Sequence, residues 1–191
     1  VYGMTIGELA MLFNTEFGIN AHLTVIPMQN WKREMTFNET GCPWVPTSPH
    51  LPHATTPFYV ATTGCIGELQ TVNEGVGYTL PFELIGAPWI QAKELAVVLN
   101  HKKLPGVYFR PLFYKPFYSA SQGKSLQGVQ LHITDFKRFR PMLTQLVLCE
   151  VLLKLNPDHS LFASDHAEMF DKAIGTDMIR KWLQGGRSAE E

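Results

Sequence analysis

Three glutamates, Glu68, Glu74 and Glu83, stand close together in a stretch rich in glycine and aromatic residues. Hydrolysis of a glycosidic bond calls for paired carboxyls, one to protonate the leaving oxygen and one to act as base or nucleophile. Glutamates this close in sequence can converge on one bond. Loops scatter such side chains as easily, and the competing reading is that they cap turns or pair with Lys and Arg. A second group is histidine: His50-Leu51-Pro52-His53 has the look of half a metal site, but a third ligand would have to come from far away, so a structural or ligand-bonding pair is the better reading and no metal is expected. Gln130 and His132 alternate on one face of a strand, opposite Val129, Leu131 and Ile133. On a wet face they are only solvated; on a cleft wall they are hydrogen-bonding groups for a polar ligand. Ser48 and Cys65 lack any nucleophile motif, and Gly75-Val76-Gly77 is no dinucleotide fingerprint because Pro81 blocks the helix that must follow.

The segment from Asn73 to Ile90 holds Glu74 and Glu83 among Gly75, Gly77, Gly86, Pro81, Pro88, Tyr78, Phe82 and Trp89. It is too polar at fixed points for plain core and too apolar for a linker, as a binding loop pinned to a scaffold would be. The scaffold reads as mixed α and β. Thr5-Ile6-Gly7-Glu8 is a capping box that starts a helix at about Ile6, with Leu9, Leu12, Phe13 and Phe17 on one face and Gly18 at its end. Glu8 thus has a sufficient structural job. His22 to Ile26 is β-branched and reads as a strand. From Gly41 onward, Pro43, Pro46, Pro49, Pro52 and Pro57 forbid a regular ladder, while Trp44, Val45 and Leu51 favour an ordered loop. A short helix follows around Phe58 to Thr63. Gln91 to Asn100 reads as a helix, Val107 to Tyr114 and Gly128 to Ile133 as strands joined through polar Ser119 to Ser125, and Pro141 to Leu155 as a long apolar helix. Thr176 caps a last helix that stops at Gly185-Gly186, and Arg187 to Glu191 is expected to fray.

Composition bounds the partners. With 191 residues the chain can bury one substantial core. Its 16 Lys+Arg against 17 Asp+Glu, with pI near 6.7, give no electrostatic footprint for nucleic acid or anionic membrane. A 17% charged fraction is low and suggests that part of the surface is covered by another domain or subunit. No apolar run is long enough to span a bilayer. Cys42, Cys65 and Cys149 are too scattered for a disulfide framework. Val1 to Thr5 carry neither a basic leader nor an initiator Met, so the chain is expected to begin within a larger protein.

Gly3-Met4-Thr5-Ile6-Gly7-Glu8-Leu9-Ala10, Leu23-Thr24-Val25-Ile26-Pro27-Met28 with Trp31-Lys32-Arg33, and Trp44-Val45-Pro46-Thr47-Ser48-Pro49 together resemble the NamZ-like exo-β-N-acetylmuramidase family. Pro81 to Ile90, Gly128 to Thr134 and Gly175-Thr176-Asp177 continue the resemblance in order. It implies one half of a two-domain glycosidase, secreted or periplasmic, that frees N-acetylmuramic acid from the non-reducing ends of peptidoglycan fragments. On this reading residues 1–186 are the C-terminal domain, a central mixed sheet or partial barrel flanked by helices. Residues 187–191 are a tail, and a Rossmann-like N-terminal domain is missing. No cofactor or metal is implied, and the fragment alone is expected to be inactive. Glu68, Glu74 and Glu83 match glutamates of the family pattern. We assign Glu68 and Glu74 as catalytic candidates and Ser48, His50, Glu83, Gln130 and His132 as muramyl-sugar contacts. His50 stands where the family often has Asn, and Val76 and Leu80 where it often has Arg, so two cations suited to a lactyl carboxylate are replaced. The rival reading is a non-catalytic carbohydrate-binding module stacking sugars on Trp44, Tyr78 and Trp89. A metal hydrolase using His50 and His53 ranks last.

Overall fold

The computed structural model describes residues 3–119, 121–162 and 165–189 and divides after Trp44 into two compact units. The first is built on α1 (Ile6–Glu16). Its capping box forms as expected, with the Glu8 N–H donating to Thr5 Oγ1 at 3.2 Å and the Thr5 N–H to Glu8 Oε2 at 2.7 Å. Gly18 takes φ +59° past the helix end. The expected strand at His22 to Ile26 does not form. This segment lies beside α1 rather than beside a strand: Asn14 bonds both the N–H and C=O of Ala21, and Val25 packs where a Cβ on Gly7 would sit. Without a β partner an extended segment gains no ladder. A 3₁₀ turn, Phe37–Thr40, ends at left-handed Gly41, and Phe37 meets Trp44 edge to face. No described residue of this unit is buried.

The second unit holds the core. The proline-rich loop leads into one continuous helical path made of α2 (Thr56–Tyr59), a π-helical segment (Val60–Gly64) and α3 (Cys65–Gly67). Then come β1 (Leu84–Ala87), α4 (Ala92–His101), β2 (Val107–Tyr114), β3 (Leu126–Ile133), α5 (Pro141–Leu155), α6 (Ala167–Ile174) and α7 (Met178–Gln184). The sheet order is β1-β3-β2 with both pairings antiparallel, so the mixed α and β domain with a central helix-flanked sheet is what the structure shows. β1 therefore runs parallel to β2 across β3, and α4 makes the connection.

One face of this sheet is apolar. Ile85, Phe109, Val129 and Leu131 pack with Leu95 and Leu99 of α4 and Val147, Leu148 and Val151 of α5 in a single cluster. Asn100 pins α4 to β2 by bonding both the N–H (3.0 Å) and C=O (2.8 Å) of Phe109. The other face carries Gln130 and His132 with Tyr108, Arg110, Leu84 and Tyr114. Leu84, Tyr114 and Leu126 form a second small cluster there, capped by Tyr78 and Leu80 from the glycine-rich loop. The described part of the tail is held: the Ala189 N–H donates to Glu150 Oε2 at 2.8 Å, where fraying was expected. Among the described residues no helix is long and apolar enough to cross a membrane.

Candidate active site

Asn73 organises the loop that follows it. Its backbone pairs with Gly86, its Oδ1 accepts from the Gly75 N–H at 3.0 Å, and its Nδ2 donates to Val76 O at 2.8 Å. Tyr114 reaches across Gly86, where any Cβ would strike its ring, and its hydroxyl is shared between Asn73 O and Oδ1 at 3.0 and 2.9 Å. Gly75 and Gly77 have φ near +90° and lie against backbone carbonyls of Leu80 and Tyr118, positions closed to any side chain. The loop is thereby fixed, and Glu74 is presented from it.

Glu68 and Glu74 line one cleft of about 760 Å³ together with Val60, Gly64, Cys65, Gly67, Gln70, Phe82, Ser119 and Ala173. Glu68 follows α3 directly and is exposed, whereas Glu74 is 9% exposed. The Glu74 carboxyl lies over Gly67, within 2.7 to 2.8 Å of where a Cβ would be. Burial, with Glu68 nearby as a further charge, pushes the Glu74 carboxyl above the usual glutamate range. Burial and Glu74 together push the Tyr114 phenol up as well. Among the described residues no Lys, Arg or His lines this cleft. A buried carboxyl with a raised pKa sharing a cleft with an exposed glutamate is an arrangement that acid and base catalysis can use. Cys65 also lines the cleft, but burial, followed by the Glu68 charge, raises its thiol and disfavours the nucleophilic thiolate.

The remaining candidates gather elsewhere. Gln130 is buried and accepts from Arg110 through Oε1 at 2.6 Å while its Nε2 points at Glu83 Oε2 at 3.4 Å. Glu83 also accepts the Leu131 N–H through its backbone carbonyl, so it is built into the sheet's polar face. His132, opposite Tyr108, has a buried Nε2 that finds no partner among the described residues. Ser48 Oγ accepts weakly from the His50 N–H at 3.4 Å, and the His50 ring stacks on Tyr118 and shares a hydrogen bond with its hydroxyl. None of these five residues lines the cleft.

The cleft also contains residues that sequence reasoning did not single out. Ser119 comes from the β2–β3 connection and Ala173 from α6, a helix with no strong cap signal whose one buried residue is Phe170. Gly64 and Gly67 had a visible signal, two glycines three apart on a helix, but no sequence feature tied them to Glu74. Of the aromatics that a binding module would use, Tyr78 packs on Tyr114 and Trp89 stacks on His159 at 5.2 Å. Among the described residues no three His, Cys, Asp or Glu side chains are placed to hold a metal ion.

Comparison with known proteins shows the family. Residues 58–191 match the family model described as exo-beta-N-acetylmuramidase NamZ, C-terminal, and residues 1–55 match the N-terminal model of the same family. The chain is 44% identical over 189 residues to the peptidoglycan beta-N-acetylmuramidase NamZ of Bacillus subtilis (strain 168), covering 99% of this chain and 45% of that protein. A crystal structure of a DUF1343 family protein from Bacteroides fragilis NCTC 9343 superposes with a TM-score of 0.90 at 41% identity, over 97% of this chain and 50% of that one. The chain thus spans about half the length of the relatives it matches, and its first segment matches the N-terminal rather than the C-terminal model. On the match of residues 58–191 and the identity along the whole chain, this protein belongs to the exo-β-N-acetylmuramidase NamZ family.

Proposed function

We propose that the unit from Val45 onward forms one wall of the active cleft of an exo-acting glycosidase that releases N-acetylmuramic acid from the non-reducing ends of peptidoglycan fragments. The observation that carries this reading is the shared cleft of Glu68 and Glu74, with the buried Glu74 carboxyl raised and no cation among the lining residues. Glu74 keeps its proton and delivers it to the glycosidic oxygen. Glu68, exposed at the cleft, serves as the complementary carboxyl toward the anomeric carbon or its attacking water. Ser48, His50, Glu83, Gln130 and His132 act on this reading as outer contacts to sugar hydroxyl, acetamido or lactyl oxygens, after the substrate extends beyond the cleft.

On this reading the opposite wall belongs to the N-terminal domain of the family, whose model residues 1–55 match. Two features support that division. The first unit leaves Ile6, Phe17 and Ile26 exposed at 88%, 72% and 88%, a surface that water does not favour and a neighbouring domain would cover. The cleft also lacks a positive group for the lactyl carboxylate, so that charge comes from the other wall. A peptidoglycan-derived substrate favours a secreted or periplasmic protein, where such fragments arise. The test is release of N-acetylmuramic acid from a muramyl disaccharide by the full-length protein. Glu74→Gln and Glu68→Gln should each lower kcat by about 10² to 10⁴. Full activity of the double variant would sink the assignment.

A further inference from the structure

Among the described residues Phe82 is the one aromatic side chain lining the cleft, and it sits where an unstrained chain would put glycine. The Glu83 N–H donates to Leu80 O at 3.2 Å, closing a turn with Pro81 second and Phe82 third. Phe82 has φ +66°. Proline second and positive φ third is the pattern of a type II turn, whose third position favours glycine. A bulky side chain there is an outlier that persists only if the surroundings enforce it. They do: Thr63, fully buried in the π-helical segment, donates through Oγ1 to Phe82 O at 2.7 Å. Single-turn π segments likewise cost regularity and occur where a side chain must be re-aimed.

The strain is not scattered. Of the seven described non-glycine residues with positive φ, Gln70, Phe82 and Ser119 line this cleft. Beneath them Gly64 and Gly67 remove side chains from the floor: the Phe82 ring lies 4.0 Å from where a Gly64 Cβ would be, and the Glu74 carboxyl lies over Gly67. The result is an aromatic ring, packed on one side against the core, and a buried carboxyl that line the same cleft.

We propose that Phe82 is the sugar-stacking platform of this cleft, seating the apolar C–H face of a pyranose ring so that its glycosidic oxygen meets Glu74. A gluco-configured pyranose with equatorial substituents presents axial C–H bonds on each face, and the electron-rich face of an aromatic ring complements them. The platform is a positioning residue for the reaction proposed above and rests on that reading for its catalytic consequence, though not for sugar binding itself.

The experiment uses the full-length protein with Phe82→Gly, Phe82→Ala and Phe82→Tyr. Glycine relieves the turn but gives up the packing of the half-buried ring against the core, so each variant's melting curve is measured first and KM is compared at a temperature where all are folded. Phe82→Gly and Phe82→Ala should raise KM for a muramyl disaccharide by about five- to tenfold while Phe82→Tyr restores it. In parallel, saturation transfer from aromatic protons to the ring C–H protons of N-acetylmuramic acid should appear in the parent and vanish in Phe82→Gly. An unchanged KM in folded Phe82→Gly overturns the platform and leaves the glycosidase reading standing. If the parent releases no N-acetylmuramic acid yet shows Phe82-dependent saturation transfer, the platform stands and the reaction assignment falls. If it shows neither turnover nor transfer, both fall.

Discussion

Glu74 and Glu150 are both buried carboxyls of the same unit, 9% and 3% exposed, and their surroundings could hardly differ more. Glu150, inside α5, takes Lys154 at 2.6 Å and Lys102 at 3.3 Å on one oxygen and the Ala189 N–H on the other. Burial alone would raise its pKa, but Lys154, the Ala189 N–H and Lys102 together outweigh burial and hold it below the usual range. Glu74 has no cation among the cleft residues, has Glu68 as a like-charged neighbour, and is raised. One carboxyl is satisfied and closes a helix against a tail. The other stands at the wall of an open cleft with no cation among its lining residues, and strongly perturbed carboxyls in clefts cluster at functional sites.

The largest effects should separate these two roles. Glu74→Gln removes the proposed proton donor and should cut kcat by about 10² to 10⁴, with a melting temperature at or above the parent. A raised carboxyl contributes stability that is fully present below the ordinary glutamate range and lost as pH rises through the raised value. The advantage of Glu74→Gln should therefore grow with pH, and a loss of melting temperature at neutral pH would break the contrast. Glu150→Ala should do the reverse. It leaves the Ala189 N–H unpaired and frees two lysines that are partly exposed and readily rehydrated, so about 2 to 3 kcal/mol of stability should go. For a domain of this size that is a fall of about 5 to 10 °C, while kcat measured well below the melting point stays near the parent value. Its depressed pKa gives stability that is present above the ordinary glutamate range and lost as pH falls through the lower folded value, so the gap between parent and Glu150→Ala should close in acid.

A smaller effect probes how Glu74 is held. In Gly67→Ala the new Cβ would stand 2.7 to 2.8 Å from the Glu74 carboxyl group, which must swing aside. Displacement of about 1 Å costs up to about a hundredfold in rate, and because the carboxyl end is flexible we expect a loss of about tenfold with little change in stability. Unchanged kcat would mean that Glu74 works from another rotamer.

This contrast was only half legible in the sequence. The capping box at Thr5 and Glu8, the alternation of β3 and the long apolar α5 are local patterns, and each formed where its residues predicted. Glu68 and Glu74 were legible as candidates because glycines flank them. Glu150 read only as an interruption of an apolar helix, since Lys102 and Ala189 are far from it in the chain and sequence spacing does not reveal who meets whom. β1 was hidden inside the loop from Asn73 to Ile90 for the same reason: its four residues are made a strand by pairing with Leu126 to Ile133, not by a period of their own. His22 to Ile26 had strand composition and no strand to pair with.

The finest prediction concerns the coupling of the two cleft glutamates. Burial is the larger cause of the raised Glu74 pKa and the Glu68 charge the smaller one, so neutralising Glu68 should lower the Glu74 pKa without returning it to the ordinary range. A ¹³C titration of the Glu74 carboxyl in parent and Glu68→Gln reads this directly, free of the activity that the substitution itself removes. An unchanged titration would mean that the two carboxyls do not sense each other and therefore do not face one bond. A return all the way to the ordinary value would make like-charge repulsion, rather than desolvation, the cause of the poise. In that case Glu74 would lose its proton affinity whenever substrate protonated or screened Glu68, and the assignment of Glu74 as acid would have to pass to a carboxyl of the other wall.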